Sequence, residues 1–352
     1  MALFISVVVP VRNEAKAIET TIRQLYAQDY PPSQFEVIVA DGRSTDDTVA
    51  IVRRLQAEFP SLRLEDNPRQ LASAARNVGI RASQGDVVII IDGHCNIPDP
   101  NYLRHIEQAF VTSGAESLGR PQPLRVPNPT PFQLCLAIAR ESKLGHNPHS
   151  AIYDDQPQYV APQNVAVAYR RNVFEKVGLF DESFDACEDV EFNTRVDQAG
   201  FRCYFEPKLR IDYHPRSTYR GLFVQMARYG TGRCRLARKH RGSLTLPALV
   251  PPLWLAFLIV GGPLSLIAPM FGWLFGGLVA LYSAVILLES LRLSARHGWW
   301  TFPRIPLLLL TIHAGFGWGF LRECLPKFAR TRRTLAPLPK SATNCASAAI
   351  SS

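Results

Sequence analysis

Two aspartates at the ends of aliphatic stretches are the first candidates for a ligand site. Asp41 follows the stretch 35–40, and Asp92 follows the stretch 87–91 and precedes His94 by two residues. If both stretches are parallel strands, the two carboxylates lie along the sheet edge where such folds bind ligands. A carboxylate and an imidazole within one turn can hold Mg²⁺ or Mn²⁺. A strand-end aspartate is also a common turn former, so both interpretations stay open.

Glycine-rich phosphate motifs are missing from the N-terminal half of the sequence. Neither GxGxxG nor GxxxxGK[ST] occurs there, which disfavours dinucleotide-binding and P-loop proteins. A phosphorylated ligand would then need a metal ion to neutralise its charge.

A second pair of carboxylates, Glu188 and Asp189, opens a predicted helix over 188–199. Acidic residues at a helix start often do no more than complement the helix dipole. The positive end of the helix can equally keep a carboxylate ionised at neutral pH, as a general base requires. The sequence does not choose between these two roles.

Gln225, Arg228 and Tyr229 lie in an amphipathic segment over 218–235, just before a basic run that ends at Arg241. A basic run before an apolar block is typical of a positive-inside topogenic signal. It can also face anionic lipid headgroups or a diphosphate. The two interpretations are compatible.

The elements that must position these residues alternate between strand and helix. This order predicts an α/β fold with a mainly parallel sheet that helices cover on both faces. The predicted strands are 5–9, 35–40, 62–65 and 87–91, and the predicted helices are 15–28, 46–58 and 71–81.

The segment 120–162 interrupts this alternation. Its eight prolines exclude one continuous helix or strand. A connection of this length inside a domain is usually functional or mobile. Beyond it, a strand over 165–169 and an extended stretch over 210–214 are predicted.

Charge is distributed unevenly along the 352 residues, whose net charge is +9. From Arg228 onward there are 15 Lys and Arg against 2 Glu, which leaves 24 basic and 28 acidic residues before it. An acidic N-terminal part argues against nucleic acid as a partner.

The basic residues flank an apolar block over 242–288, whose 47 residues carry no charge. Because a bilayer core needs about 20 apolar residues per helix, the block predicts two membrane spans. A third apolar run, 305–321, contains three glycines and Pro306. If it spanned fully, the basic tail would lie outside, against the positive-inside rule. We therefore expect it to lie along or re-enter the cytoplasmic side.

The cysteines and the N-terminus indicate a cytoplasmic domain. Seven scattered cysteines with no CxxC pair favour a reducing compartment over a disulfide framework or a zinc site. The start MALFISVVVP has no basic region and no cleavage signature, so it is interpreted as a strand and not as a signal peptide.

Six motifs in order resemble those of family 2 glycosyltransferases of the GT-A fold, and within them the ExoA-type enzymes of bacterial exopolysaccharide assembly. The resemblance covers the first two thirds of the chain, and the membrane segments that follow also match the family. The motifs are SVVVPVRNE (6–14), VIVADGRSTDDT (37–48), ASAARNVGI (72–80), VIIIDGH (88–94), CEDVEF (187–192) and QMARY (225–229).

The resemblance implies roles for the nucleotide-sugar site. Asp41 would face the base and Arg76 the nucleotide or its phosphates, in a pocket formed by Pro10, Glu14, Asp41, Arg76 and Asp92. Asp92 and His94 would correspond to the metal-binding DxD motif, with His214 completing the coordination of Mg²⁺ or Mn²⁺. Histidine in the third position departs from the usual aspartate.

It also implies roles for catalysis and for the acceptor. Asp189, beside Glu188, would be the catalytic base of the ED motif. Gln225, Arg228 and Tyr229 resemble a QxxRW motif with Tyr for Trp, which would contact the acceptor and the diphosphate.

The function that follows is an inverting, metal-dependent hexosyl transfer, of glucose from UDP-glucose, onto a lipid-linked saccharide at a bacterial inner membrane. The alternatives are a polyprenyl-phosphate glycosyltransferase and a non-catalytic, membrane-tethered sugar-nucleotide-binding protein. The predicted parts are a catalytic domain (1–220), a basic interfacial segment (221–241), a membrane region (242–321) and a basic, flexible tail (322–352).

Overall fold

The computed structural model describes residues 3–146, 151–267 and 269–325, so the predicted tail lies outside the described residues from 326 onward. Its centre is an eight-stranded sheet, beside which lies a separate two-stranded pair. The strands are β1 (Ile5–Val11), β2 (Phe35–Asp41), β3 (Leu62–Asp66), β4 (Val87–Ile90), β5 (Cys95–Asn96), β6 (Ser117–Gly119), β7 (Gln158–Val160), β8 (Ala166–Arg170), β9 (Cys203–Phe205) and β10 (Asp212–Tyr213).

The large sheet has the order β3-β2-β1-β4-β8-β6-β9-β7. Strands β1 to β4 are parallel, as predicted, and β8 pairs antiparallel with β4. All residues of β2 and β4 are buried, because helices cover both faces of the sheet. Since β1 lies between β2 and β4, their carboxyl ends bring Asp41 and the segment that begins at Asp92 to one edge.

Eleven helices of the described chain complete the fold, together with 3₁₀ turns at Pro32–Gln34, Pro162–Asn164, Pro207–Leu209 and Trp299–Thr301. The helices are α1 (Ile18–Tyr26), α2 (Thr48–Gln56), α3 (Ala72–Ala82), α4 (Tyr102–Ser113), α5 (Pro131–Glu141), α6 (Arg171–Val177), α7 (Glu188–Gln198), α8 (Tyr219–Lys239), α9 (Leu246–Ile267), α10 (Pro269–His297) and α11 (Ile305–Cys324).

Helix α5 lies inside the proline-rich segment, where the sequence analysis placed no helix. Pro131 occupies its first turn, where proline costs no hydrogen bond. The Thr130 side chain accepts from the Gln133 backbone N–H, and the Gln133 side chain accepts in return from the Thr130 N–H. The prolines thus bound this helix on its N-terminal side and do not prevent it.

Three helices of the described chain, α9, α10 and α11, are long and apolar enough to cross a membrane. They differ in how much protein covers them. Half of the most apolar window of α11 is buried inside the protein, against 17% for α9 and 6% for α10. Helix α11 is therefore packed mostly against the rest of the chain, and its partner is α8.

Glycines let α11 and α8 approach at backbone distance. A side chain at Gly319 would collide with the carbonyl oxygen of Ala227, and one at Gly230 would collide with that of Phe316. A Cβ on Gly315 would lie 2.8 Å from the carbonyl oxygen of Phe223. Gly315 and Gly319, two of the three glycines of the third apolar run, thus form the face with which a continuous helix α11 contacts α8.

The contacts between α8 and α11 run in the same direction along both chains. Phe223 meets Gly315 near the start of α8, and Arg235 contacts Glu323 near its end, at 3.2 Å. Arg304, just before α11, also acts electrostatically on Tyr219, the first residue of α8. From Gly315 to Glu323, α11 therefore lies side by side with α8.

We expect Gly319→Ala to separate α8 from α11 and lower the thermal midpoint of the full chain in detergent, because overpacking costs about 1–3 kcal/mol. The matched control is Gly276→Ala in α10, where a new Cβ would meet no atom within 4 Å. Equal midpoints for the two variants would contradict this account of the glycine face.

Candidate active site

The first wall of the site is formed by the loops that follow β1 and β2. Asp41 is buried at the end of β2, and its carboxylate accepts from the Ser44 hydroxyl (2.6 Å) and the Ser44 N–H (3.0 Å). Asn13 has a left-handed backbone with φ of 58°, and its side-chain oxygen accepts from the Thr45 N–H at 2.8 Å. These bonds tie the two loops together and fix Asp41 beside β1, where Pro10 pairs with Ala40.

Asp92 and His94 lie just beyond β4, separated by a glycine that the packing requires. A Cβ on Gly93 would lie 2.7 Å from a methyl group of Val11. The His94 Nδ1 is 3.0 Å from a carboxylate oxygen of Glu14, and its ring meets the edge of Tyr213. The structure therefore brings Glu14, predicted for the nucleotide pocket, directly onto the predicted metal ligand His94.

The surroundings shift the pKa values of His94 and His214 in opposite directions. Burial lowers the pKa of His94, but the hydrogen bond with Glu14 and the nearby Asp92 outweigh it, so the pKa is raised. Partial burial and the neighbouring His94 lower the pKa of His214. The two imidazoles are thus close enough to interact.

The donors at this edge fit a metal ion only if a ligand completes its coordination. No three His, Cys, Asp or Glu side chains among the described residues are grouped so that they could hold an ion by themselves. The structure therefore does not assemble Asp92, His94 and His214 as a three-ligand cluster, and the His94 Nδ1 already has Glu14 as its partner. The remaining donors are the Asp92 carboxylate, the His94 Nε2 and the His214 ring.

The second wall of the site is the start of α7, where Glu188 and Asp189 have different environments. Glu188 is buried and forms an ion pair with Arg76 of α3, with Nη1 and Oε1 3.0 Å apart. Burial raises the pKa of Glu188. Asp189 is exposed, and its carboxylate accepts from the N–H of Val190 at 2.8 Å.

Arg76 brings the two walls together. Burial alone would lower its pKa, but Glu188, Asp189 and Asp92 raise it overall, in that order of strength. The carboxylates of Asp92, just beyond β4, and of Glu188 and Asp189 in α7 therefore all act on one guanidinium group. The Arg76 Nε is buried with no hydrogen-bond partner among the described residues.

Helix α8 closes the site beside α7. A Cβ on Gly232 would lie 2.6 Å from the carbonyl oxygen of Ala186, so the helix touches the loop before Glu188. Gln225 donates to the Tyr229 hydroxyl at 3.3 Å, whereas Arg228 donates to the carbonyl oxygen of Asp185 at 2.7 Å.

The basic residues at the end of α8 pair with acidic residues of the α7 region. Arg235 contacts Asp185 at 2.7 Å, and Lys239 contacts Asp181 at 2.5 Å and Glu191 at 2.8 Å. This part of the basic run thus binds the catalytic domain, a role that the sequence analysis did not consider.

Two residues of the site were missed in the sequence. Arg140 of α5 acts electrostatically on Tyr229, as does Asp189. Tyr213 of β10 lies close to Asp92 and Tyr229, and burial raises its pKa well above its usual range. The capping pattern of Thr130 and Gln133 could have revealed α5 and with it Arg140, whereas no sequence signal marked Tyr213.

The parallel half-sheet with strand-end carboxylates, and the acidic helix start opposite, define a nucleotide-diphospho-sugar transferase of the GT-A fold. Residues 6–177 match the sequence profile of glycosyl transferase family 2. The chain is 32% identical over 321 residues to the succinoglycan biosynthesis protein ExoA of Rhizobium meliloti (strain 1021). The aligned region covers 91% of this chain and 94% of that protein. The chain belongs to family 2 and is a glycosyltransferase.

A second relative and one solved structure are also similar to this chain. The chain is 26% identical over 325 residues to a dolichyl N-acetyl-alpha-D-glucosaminyl phosphate 3-beta-D-2,3-diacetamido-2,3-dideoxy-beta-D-glucuronosyltransferase of Methanococcus voltae, over 91% of this chain and 96% of that one. The fold of this chain is similar to that of the mannosyltransferase PcManGT from Pyrobaculum calidifontis, solved with GDP-Man and Mn²⁺. The TM-score is 0.57 at 21% identity, over 90% of this chain and 88% of that one.

Proposed function

We propose that this glycosyltransferase transfers a hexose, glucose from UDP-glucose, onto a lipid-linked saccharide with inversion and with the help of a divalent metal ion. The observation that carries the proposal is that the carboxylates of Asp92 and Asp189 both act electrostatically on Arg76, which pairs with Glu188 at 3.0 Å. A displacement with inversion needs one group at the leaving diphosphate and another at the attacking hydroxyl. Asp92 at the sheet edge and Asp189 at the helix start supply these two positions.

Asp189 is proposed as the general base. It is exposed and makes no ion pair within the described residues, and it lies in the first turn of α7, at the positive end of the helix dipole. It would take the proton of the acceptor hydroxyl as that oxygen bonds to the anomeric carbon and the bond to the diphosphate breaks. Base catalysis of this kind is worth about 10²–10⁴-fold.

Glu188 is proposed as a positioning residue and not as a second base. Its carboxylate is buried against Arg76, so a proton transferred to it would leave the guanidinium without its nearest counter-charge. The pair instead orients the Arg76 side chain, whose unpartnered Nε is available to a phosphate oxygen. This supports the assignment of Arg76 to the nucleotide phosphates.

The proposed metal ion would be held by Asp92 and the imidazoles of His94 and His214, with diphosphate oxygens as further ligands. When bound, it would stabilise the negative charge of the leaving diphosphate as a Lewis acid. Glu14 orients the His94 ring through Nδ1, as the carboxylate partners of metal-binding histidines commonly do. Pro10 and Asp41 would line the nucleotide side of the same pocket.

The donor and the acceptor rest on different support. UDP-glucose rests on the resemblance to ExoA-type enzymes. A lipid-linked saccharide is supported by the relatives, one named for succinoglycan biosynthesis and the other for transfer to a dolichyl-phosphate-linked sugar. Transfer to a bare polyprenyl phosphate is the alternative. Gln225 and Tyr229, next to Asp189, are proposed to contact the acceptor, with Arg228 beside them.

We further propose that the catalytic domain faces the cytoplasm at a bacterial inner membrane, that α9 and α10 cross it, and that α11 does not. Helix α8 carries charged residues along its length and cannot lie within lipid. Because α11 lies along α8 from Gly315 to Glu323, we extend the same reasoning to α11 and propose that it stays on the cytoplasmic side.

The first prediction of this proposal is a metal requirement. Chelation should abolish UDP release from UDP-glucose and acceptor, and added Mg²⁺ or Mn²⁺ should restore it. His94→Ala should raise the metal concentration for half-maximal rate by about tenfold, because it removes a ligand. His297→Ala, exposed at the end of α10, is the control. Full turnover after exhaustive chelation would disprove the requirement.

The second prediction separates chemistry from binding. Asp189→Asn removes the base but keeps the shape, so turnover should fall by at least about 10²-fold while affinity for UDP-glucose is unchanged. Asp197→Asn changes an exposed carboxylate on the same helix and should leave turnover intact. Near-normal turnover of Asp189→Asn would return Asp189 to a role in complementing the helix dipole.

The third prediction concerns topology. In a Cys345→Ser background, an impermeant maleimide should label the exposed Cys324 at the end of α11 only from the cytoplasmic side. Cysteine placed at the exposed Met270, at the start of α10, should react only from the opposite side. Labelling of both positions from the periplasmic side would establish three full spans.

A further inference from the structure

A cavity of about 260 Å³ lies between α8 and α11, next to the proposed active site, with which it shares Arg228. Asp92, Glu188, Asp189 and Tyr229 do not line it. Its lining combines arginines with apolar side chains and one acid: Asp185, Phe223, Val224, Ala227, Arg228, Thr231, Arg235, Trp318 and Arg322.

Two of its three arginines carry uncompensated charge. Arg322 is exposed and makes no ion pair within the part of the chain that the structure describes. Among the described residues, Arg228 donates only to the carbonyl oxygen of Asp185, a neutral partner. The third, Arg235, neutralises the Asp185 carboxylate at 2.7 Å and also contacts Glu323 at 3.2 Å. The cavity therefore has a net positive charge, which favours the binding of an anion.

The remaining lining is apolar and open to the surroundings. Val224 is 52% exposed and Trp318 is 45% exposed, and Phe223 lies next to them on α8. Tryptophan is enriched where the headgroups of a membrane meet its acyl chains. An occupant that satisfies both parts of the lining has a phosphate joined to a hydrocarbon chain.

We propose that this cavity binds the headgroup of an anionic phospholipid, with the phosphate between Arg228 and Arg322 and the first part of an acyl chain against Phe223 and Trp318. Two guanidinium groups without counter-ions favour an anionic headgroup over phosphatidylcholine, whose choline adds a positive charge. The site shares Arg228 with the proposed acceptor contacts, whereas Arg322 and Trp318 have no part in the proposed reaction. Bound lipid would contact the loop at Asp185 and so hold the catalytic domain against the membrane surface.

The test is native mass spectrometry of the full chain in detergent, titrated with dioleoylphosphatidylglycerol. We expect one lipid to bind more tightly than the rest, and Arg322→Gln to weaken this binding about fivefold. Arg322→Lys should retain most of the affinity, and Trp318→Ala should weaken it. The control is Arg296→Gln, which removes an equally exposed charge at the end of α10, outside the cavity.

Each other result would overturn the proposal. Equal binding by Arg322→Gln and Arg296→Gln would show non-specific attraction to a basic protein. Equal affinity for dioleoylphosphatidylcholine would exclude selection of the anionic headgroup. Displacement of the lipid by millimolar inorganic phosphate, with the same dependence on Arg322, would indicate a site for free phosphate.

Discussion

The close approach of α8 and α11 is the contact on which the position of the active site depends. Glycine at 230 and 319 lets the two backbones touch, and a single methyl group at either position would force them apart. The other face of α8 touches the loop before Glu188 through Gly232. The distance from α11 to Asp189 is therefore set by contacts between backbone atoms and not by a flexible linker.

Electrostatics then fixes the orientation of α7. Glu191 is fully buried on this helix and is contacted by Arg195 (2.9 Å), Lys239 (2.8 Å) and His240 (3.0 Å). A buried carboxylate needs such partners, because removing one leaves an uncompensated charge in a poorly solvated place. Two of these partners come from the end of α8 and the residue after it, so these ion pairs join α7, which carries Asp189, to α8.

The sequence predicted one wall of the site better than the other. Aliphatic runs that end in Asp41 and Asp92 are local signals, and the geometry of parallel sheets brings such ends to one edge. The pairs Arg76–Glu188 and Arg235–Asp185 join residues far apart in the chain, so no local pattern could reveal them. The basic run was consequently interpreted as a membrane signal or as a surface for anionic headgroups or a diphosphate, although part of it pairs with acidic residues of the α7 region.

A chain of hydrogen bonds connects α10 and α11 to the segment that follows Arg140. The His313 Nε2 lies 2.8 Å from the carbonyl oxygen of Leu144, and because a carbonyl only accepts, this nitrogen carries the proton. The Tyr282 hydroxyl then donates to Nδ1 at 2.6 Å, so the imidazole is satisfied without a charge. A neutral, fully bonded histidine is stable in apolar surroundings, where an imidazolium would be costly. Helices α10 and α11 thereby hold the segment after α5 in place, and with it Arg140, which acts electrostatically on Tyr229.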